Sequence, residues 1–427
     1  MPGKEKLIRE VRLFEKYIRY VWPIHRRLVR KQLTPRCIRC ILPASYAPLE
    51  DGMCPHCREE QINPVPPFPK QKERMQAEFD NRMRALITEC DRPYHVMLLF
   101  SGGKDSSYLL QRMLQTYPGL RILAVTVDNT FMSPVAMENI QEIIRRLGVD
   151  HMTMRPRAAT MEKMYRYALT HLNAKGCSGT VDQFDGDFFS DLARNLAANL
   201  RIPYIVCGLS PAQVENILGL RTYITASEDE ARPREVVAGI RLRDLFDAEE
   251  MKYWWNGPAW PAEQRPRMLF PFYIWDLDEM FIKQEVLRLG LMPRGDESPL
   301  ITNHQLIPLM GIVDMVTFGY SSFEPEFAGM VRQGKADRKH WLYSFETLEY
   351  AAKTGRFLGA AVDEALARLS LTRQDVGIKG GGHDAAYKVR KPAGVVGAAR
   401  AGDAGGRRVH GEEQRGPVAK DNLEAVS

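Results

Sequence analysis

A short stretch, LLFSGGKDSSYLL at positions 98–110, constrains the fold more than any other part of the chain. An apolar run ends there at Gly102 and Gly103, and apolar residues at helical spacing follow Asp105. The pattern predicts a buried strand, a tight turn and the start of a helix, where backbone N–H groups and the helix dipole favour an anion. Because neither glycine carries a Cβ atom, the backbone can approach that anion closely. We therefore expect a phosphate-binding turn at this point.

Strands and helices alternate on either side of this turn. The hydrophobic pattern predicts strands at 96–100, 121–128, 151–155 and 203–207. Between and after them it predicts helices at 106–116, 134–147, 161–172 and 187–200. Strands separated by helices of this length are typical of parallel β-α-β units. The sequence thus predicts an α/β fold with a doubly wound parallel sheet, whose ligand lies at the carboxyl ends of the strands.

Four of the seven cysteines form a paired motif, CIRCILPASYAPLEDGMCPHC, with two C-x2-C units separated by thirteen residues. Such spacing brings four thiolates around one ion, at about 2.3 Å for a tetrahedral Zn²⁺. Soft thiolates also suit iron, so the motif leaves the metal open. A closed four-thiolate site has no free position for a substrate, and we interpret this zinc ribbon as structural or as a docking surface. Its predicted ligands are Cys37, Cys40, Cys54 and Cys57.

Charge is concentrated at the start of the chain. Residues 1–36 hold eleven Lys or Arg and three Glu, against 59 basic and 53 acidic residues in the whole chain. Apolar residues recur there at helical spacing, which predicts an amphipathic helix. Its basic face is either solvated while the helix packs on the core, or it meets an acidic partner such as RNA, a nucleotide-linked substrate or a membrane surface. No apolar run approaches the ~18 residues of a membrane span, and no signal peptide is evident, so we expect a cytoplasmic protein.

The turn at 101–106 has neither the Walker A spacing nor the dinucleotide G-x-G-x-x-G pattern. Its S-G-G-x-D-S order resembles the PP-loop ATP pyrophosphatases, and the similarity extends over about residues 93–210. The resemblance implies ATP as substrate and Mg²⁺ as its counterion. It implies a phosphate-binding set of Ser101, Gly102, Gly103, Lys104, Asp105 and Ser106. It further implies nucleotide contacts from Asp128, Gly208 and Gln213.

The chemistry implied by that family has two steps. A substrate oxygen attacks the α-phosphorus of ATP and releases pyrophosphate, and a nitrogen or sulfur nucleophile then displaces AMP. The catalytic residues that the resemblance implies are Lys104, which faces the charge on the leaving pyrophosphate, and Asp105, which acts through a metal or orders the loop. The sequence does not decide between nitrogen and sulfur.

A finer resemblance favours nitrogen. N-acetyl sugar amidotransferases of bacterial surface-polysaccharide pathways begin with similar cysteine knuckles and end with a segment similar to FGYSSFEPEFAGMVRQGKADRKHWL. Arg332, Lys335 and Arg338 in this segment would meet an acidic substrate group, although a solvated basic helix start fits equally well. The resemblance implies a sugar-nucleotide or other acidic substrate and ammonia from a separate glutaminase.

Two other hypotheses remain open. One is thiolation of tRNA or of a small metabolite with a sulfur-donor protein as partner, in which Cys177 of KGCSGTVDQF carries a persulfide. Thr180 stands where a C-x-x-C would continue, which does not favour a cluster in this domain. The other is a nucleotide-binding zinc protein without enzymatic activity that assembles a complex.

We divide the chain into six segments. The basic helix occupies 1–36, the zinc ribbon 37–60, and a linker with a helix 61–92. The ATP-binding PP-loop domain follows at 93–220, and an insertion with a helical C-terminal substrate region at 221–376. Residues 377–427 are rich in Gly, Ala and charge, and we expect them to be disordered.

Overall fold

The computed structural model describes residues 4–62, 70–275, 277–293, 304–356 and 359–378. All of them belong to one unit of the chain, residues 1–391. The tail expected to be disordered lies outside the described residues from position 379 onward, as does 63–69 of the expected linker.

Seven strands and seventeen α-helices are described. The strands are β1 Val96–Leu99, β2 Ile122–Val127, β3 Asp150–Met154, β4 Tyr204–Val206, β5 Val236–Val237, β6 Ile240–Arg241 and β7 Arg267–Leu269. The helices are α1 Lys4–Lys16, α2 Trp22–Val29, α3 Pro55–Ile62, α4 Lys70–Glu89, α5 Lys104–Thr116, α6 Pro134–Leu147, α7 Ala158–Thr170, α8 Val181–Asn199, α9 Pro211–Leu218, α10 Ser227–Glu230, α11 Leu242–Leu245, α12 Phe272–Trp275, α13 Glu279–Arg288, α14 Ile307–Phe318, α15 Glu324–Arg332, α16 Arg338–Thr354 and α17 Gly359–Arg368.

The main sheet is parallel and has the order β3-β2-β1-β4-β7. Val96 pairs with Ile122 on one side and with Tyr204 on the other, so β1 is central. The chain moves outward from β1 to β3 and then returns to the other side of β1 at β4. This reversal is the topological switch point of a doubly wound sheet, and a ligand is expected outside the carboxyl ends of the strands there. The predicted fold class is confirmed.

The sheet has a fifth strand that the sequence analysis missed, because the prediction ended the series at 203–207. β7 pairs with β4 from Tyr204↔Arg267 to Val206↔Leu269. Three residues followed closely by Pro271 are too few to show a strand period, so the strand becomes visible only through its partner.

Local signals explain the boundaries of the helices that follow the strands. The Ser133 hydroxyl accepts a hydrogen bond from the backbone N–H of Ala136 at the start of α6, and Gly148 ends the helix at φ 63°. β1 is apolar throughout and β2 is apolar except for Thr126, because helices cover both faces of a parallel sheet.

The N-terminal basic segment is helical as predicted, although one π-helical turn, Tyr17–Val21, separates α1 from α2. Ile18 and Trp22 are buried. The indole N–H of Trp22 donates to Glu346 of α16 at 3.0 Å, and Arg26 pairs with the same carboxylate at 2.6 Å. One side of the segment is therefore packed on the body of the protein.

The four cysteines pack against the C-terminal helices rather than against the segments that follow them in sequence. Their cluster includes Met315, Ala328, Trp341 and Phe345. No helix in the described part of the chain combines the length and the apolar character that a membrane span needs.

Candidate nucleotide site and metal centre

The turn between β1 and α5 is built from its own polar groups. Ser101 Oγ and Ser106 Oγ lie 3.1 Å apart, and the N–H of Gly103 donates to Ser101 Oγ at 3.4 Å. The hydroxyl of Ser107 donates to the Gly103 carbonyl at 2.7 Å. Gly103 precedes the helix in extended conformation without a side-chain cap, so the first N–H groups of α5 are oriented toward the turn. This is the geometry of an anion site.

The two glycines of the turn have different roles. Gly102 has a φ of +72°, and a Cβ atom there would lie 2.4 Å from the carbonyl oxygen of Ala136 in α6. Only glycine fits this position without a shift of the backbone. Gly103 has a negative φ, and a Cβ atom there would only approach Ser101 Oγ at 3.4 Å. Its missing side chain is therefore not required by the fold and leaves the turn open toward a ligand.

Lys104 and Asp105 form the charged part of the turn. Lys104 Nζ lies 2.9 and 2.8 Å from the two oxygens of Asp105 and 4.0 Å from Glu279 Oε1 in α13. Burial opposes the positive charge of Lys104, but the two carboxylates outweigh it and raise the pKa of the amine. The amine is thus cationic at neutral pH and is held at the start of α5.

Two carboxylates that interact with this turn, Glu279 and Glu326, and a third that interacts with Glu326, Asp182, were missed by the sequence analysis. Glu279 lies beside Lys104, and burial raises its pKa. Glu326 of α15 accepts a hydrogen bond from Ser210 at 3.2 Å, and its pKa is also raised by burial, with a further contribution from Asp105. Asp182 of α8 has a pKa raised to about 7 by burial and by its neighbours Asp185, Glu326 and Asp314.

These carboxylates come from helices far apart in sequence, and isolated acidic residues in a charged chain carry no recognisable pattern. The available signal was their position in the first turn of α8, α13 and α15, where acidic residues are common because the helix dipole favours them.

The three residues predicted to contact the nucleotide have different surroundings. Gly208, after β4, lies against the start of α5, because a Cβ atom there would be 3.8 Å from Ser106 Cα. Asp128, after β2, pairs with Arg155 at 2.6 Å and accepts the N–H of Thr130 at 2.9 Å. Gln213 accepts the N–H of Ser210 at 3.0 Å and completes the N-terminal cap of α9. Its side chain therefore has a structural partner.

Cys177 begins a single 3-10 turn, Cys177–Gly179, and its side chain is not exposed. The side chain is buried, and its backbone N–H donates to Asp314 Oδ1 at 2.8 Å. A Cβ atom at Gly176 would lie 2.6 Å from the same oxygen, so the turn closes tightly on α14. Burial, with the charge of Asp314, raises the pKa of the thiol well above its usual value. Cys207, expected inside a strand, lies just after β4 and is partly buried.

The four cysteines of the paired motif converge as predicted. Their Sγ atoms all lie within 4.8 Å of one another, and the Cys40 and Cys54 sulfurs are 3.6 Å apart. Four sulfurs at about 2.3 Å from a tetrahedral Zn²⁺ would be about 3.8 Å apart, so the donor set fits this ion. The N–H of Cys54 donates to Cys37 Sγ at 3.3 Å, which stabilises thiolate character.

The predicted substrate residues lie beside the cysteine cluster. Arg332 donates to Glu60 at 2.8 Å, and Arg338 donates to the carbonyl of Cys37 at 2.9 Å. Lys335, in the turn after α15, is half-buried and donates its N–H to Met330 at 2.8 Å. In this structure the two arginines contact the cysteine segment, and this contact gives them a structural role.

Helix α15 links the two centres. Glu324 pairs with the buried Arg36 just before the first cysteine, Glu326 receives the hydrogen bond of Ser210, and Arg332 reaches Glu60. One short helix thus contacts both the cysteine segment and the loop after β4.

Comparisons with known proteins give limited information. No family model matches the chain. The chain is 34% identical over 87 residues to an uncharacterized protein of Methanocaldococcus jannaschii, a match that covers 20% of this chain and 31% of that protein. The match thus spans less than a third of the relative's length.

Solved structures give weak matches. One is the U34-tRNA thiolase NcsA from Methanococcus maripaludis with its 4Fe-4S cluster, at 13% identity and a TM-score of 0.32, covering 82% of this chain and 99% of that chain. Another is the NMN synthetase from Francisella tularensis, at 12% identity and a TM-score of 0.33, covering 67% and 97%. A third is the NH3-dependent NAD synthetase from Campylobacter jejuni, at 10% identity and a TM-score of 0.30, covering 66% and 96%. These values are too low to carry an argument about the site.

Proposed function

We propose that this protein is an AMP-forming, ATP-dependent amidotransferase. An oxygen of the acceptor substrate attacks the α-phosphorus of ATP, the bond from that phosphorus to the bridging oxygen breaks, and pyrophosphate leaves. Ammonia then attacks the adenylated carbon, and AMP leaves with the former substrate oxygen. By its resemblance to N-acetyl sugar amidotransferases, the acceptor is a sugar nucleotide or another acidic small molecule, and a partner glutaminase supplies the ammonia.

The observation that carries the proposal is the turn at 101–106. It lies at the carboxyl end of the central strand, at the switch point of the sheet, and Gly102 adopts a conformation that only glycine tolerates. The oriented N–H groups at the start of α5 and the Lys104 amine would stabilise the charge that grows on the leaving pyrophosphate. Asp105 lies beside Lys104 and would orient its amine.

The carboxylates around the turn make ATP binding dependent on a cation. Asp105, Glu279 and Glu326 would repel the phosphates of free ATP. Among the described residues no three carboxylates lie close enough to hold an ion by themselves. Mg²⁺ would therefore be held mainly by ATP phosphates and water, with Asp105 as the protein ligand, which is its usual mode in nucleotide sites. When bound, Mg²⁺ would neutralise part of the negative charge of the ATP phosphates.

A further carboxylate, Asp182 of α8, favours nitrogen over sulfur as the second nucleophile. Asp182 has a pKa raised to about 7, and no described residue donates a hydrogen bond to its carboxylate. A carboxylate with this pKa can accept a proton from ammonium near neutral pH, which produces the nucleophilic ammonia. Sulfur transfer instead needs a reactive thiolate, and burial of Cys177 opposes its ionisation.

The cysteine cluster would hold Zn²⁺ through Cys37, Cys40, Cys54 and Cys57, with a structural function. All four side chains are buried, which leaves no access for a substrate. Arg332, whose pKa is raised in part by Cys40 and Cys57, would balance the negative charge of the four thiolates.

The test is a product analysis with purified protein, Mg-ATP, ammonium and a panel of acidic sugars and sugar nucleotides. We expect AMP and pyrophosphate, and the variant Asp105→Asn should lower their formation by about 100-fold or more. The matched control Asp91→Asn changes an exposed carboxylate before β1, at the opposite end of the sheet. Formation of ADP and phosphate, or full activity of Asp105→Asn, would contradict the proposal.

The variant Cys177→Ser distinguishes the nitrogen-transfer hypothesis from the sulfur-transfer hypothesis. The amidotransferase proposal predicts that most activity with ammonium survives in this variant. A variant that folds, binds its metal and binds ATP but forms no product would instead favour the thiolation hypothesis.

A further inference from the structure

The outer side of the N-terminal helices exposes an unusual amount of apolar surface. Five of the twelve large apolar side chains that are exposed in the described part of the chain lie between residues 13 and 28. Their exposed fractions are 59% for Leu13, 64% for Tyr20, 48% for Val21, 68% for Ile24 and 82% for Leu28. Positions 20, 24 and 28 are four residues apart and share one side of the helix. We call these five residues the outer stripe.

The outer stripe lies opposite a well-anchored inner side. Trp22 and Val29 are buried in a cluster with Tyr350 of α16, and Trp22 and Arg26 both bond to Glu346. The helix is thus fixed on the body of the protein by one face, and the apolar stripe is held outward.

Cations accompany the outer stripe. Lys16, Arg19, Arg27, Arg30 and Lys31 are exposed, and none of them is paired with a carboxylate among the described residues. The sequence has no Asp or Glu between Glu15 and Glu50. An apolar stripe bordered by unpaired cations is typical of a helix that lies in the interface of a membrane with anionic lipids.

We propose that the outer stripe and its five cations bind the surface of an anionic phospholipid membrane. The aliphatic residues Leu13, Ile24 and Leu28 would enter the boundary between headgroups and acyl chains, while the Lys and Arg side chains reach the lipid phosphates. This association is peripheral and reversible, and it is independent of the proposed ATP chemistry.

Two other occupants fit the face less well. A second copy of the chain packed through the same face would bring two sets of five cations together, and the nearest carboxylates, Glu10 and Glu15, lie only at the Leu13 end of the stripe. RNA is bound through cations and stacking aromatic rings, and it offers no apolar surface for exposed Leu and Ile side chains.

The experiment is co-sedimentation of the full-length protein with vesicles of phosphatidylcholine mixed with phosphatidylglycerol, compared with vesicles of phosphatidylcholine alone. We expect binding to the anionic vesicles that weakens with added salt. Ile24→Asp/Leu28→Asp should weaken it by about tenfold or more, because apolar area is lost. Lys16→Glu/Arg27→Glu/Lys31→Glu should weaken it by about tenfold or more, because charges are reversed. Leu200→Asp, a change at another exposed leucine, should bind as the wild type does.

Metal content and far-UV circular dichroism of each variant report whether it is folded. Absence of binding to anionic vesicles, or equal binding by folded variants and wild type, would overturn the proposal. A dimer in analytical ultracentrifugation that dissociates in Ile24→Asp/Leu28→Asp would assign the face to a second copy instead. Binding of a tRNA mixture that is lost in the charge variant, without vesicle binding, would assign it to RNA.

Discussion

The turn at 101–106 and the cysteine cluster are both short motifs, but they depend on the rest of the chain in different ways. The turn is shaped by residues within about one β-α-β unit, such as Ala136 behind Gly102. The cysteine cluster is enclosed by side chains such as Trp341 and Arg338, which follow it by about three hundred positions in sequence. The backbone shape of the turn is therefore set locally, although Glu279 near Lys104 comes from a distant helix, whereas the cysteine cluster depends on a distant part of the chain for its packing.

The difference has a functional consequence because α15 contacts both centres. Glu324 is bonded to Arg36 on the cysteine side, and Glu326 is bonded to Ser210 on the nucleotide side. We expect damage to the metal centre to reach the nucleotide site through this helix, while damage to the turn should leave the metal in place.

The largest effect should follow from Cys54→Ser. Structural zinc contributes apparent binding free energies of about 10–16 kcal/mol in small zinc domains, which is comparable with the stability of a whole domain. We expect elemental analysis to fall from about one zinc per chain to near zero. We also expect the unfolding temperature to drop by at least about 5 °C.

Cys90→Ser is the matched control, because Cys90 is half-exposed and lies outside the cluster. Full metal content in purified Cys54→Ser would contradict the four-thiolate site. If the wild-type protein contained iron instead of zinc, the four-thiolate site would stand and only the identity of its metal would change.

An intermediate effect should separate the two glycines of the turn. Gly102→Ala forces a Cβ atom against the Ala136 carbonyl at a positive φ, and it should cost about 2 kcal/mol or more. Gly103→Ala meets no such obstacle and should cost less than about 1 kcal/mol. Urea unfolding measures both. Metal content should remain at the wild-type level in both variants, and equal destabilisation by the two changes would contradict the local account of the turn.

The smallest effect should be a change in the pH dependence of stability on replacement of Asp182. Its pKa is raised to about 7 in the folded protein from an ordinary value of 3.8, so the folded state binds this proton more tightly than the unfolded state. The contribution of this carboxyl group to the free energy of unfolding is therefore lost as pH rises between about 4 and 7. Asp182→Asn should remove that loss.

Between pH 6 and pH 8, the free energy of unfolding of the variant should rise relative to wild type by about 1–2 kcal/mol. Denaturant titrations at both pH values measure this difference, with Asp91→Asn as the exposed control. An identical pH profile of variant and wild type would show that Asp182 is ionised normally and would remove the support it gives to ammonia as the nucleophile.

Much of the fold was predictable because its signals are local. The apolar strands, the N-terminal cap at Ser133 and the glycine at 148 each act within a few residues. β7 was missed because a three-residue strand is defined only by pairing with β4. Glu279 and Glu326 were missed for a similar reason, since an acidic residue becomes part of a site only when folding brings it near Lys104 or Ser210.

Tertiary structure also gave several predicted residues different surroundings. Arg332 and Arg338, for which a contact with an acidic substrate group stays a prediction, contact the cysteine segment in this structure. Gln213 completes a helix cap, and Cys177 is buried against Asp314. In each case the residue type suggested a reactive group, and the folded chain supplies a structural contact or burial at that residue.

The sequence by itself determined the parallel α/β sheet, the glycine turn between β1 and α5 and the four-cysteine set, because hydrophobic period, glycine conformation and ligand spacing are properties of contiguous residues. Only the tertiary structure decided that the cysteine segment packs on α14–α16, that α15 joins it to the loop after β4, and that carboxylates surround Lys104. These contacts join residues far apart in sequence, and they form because buried charges need partners and apolar faces need cover, wherever the chain supplies them.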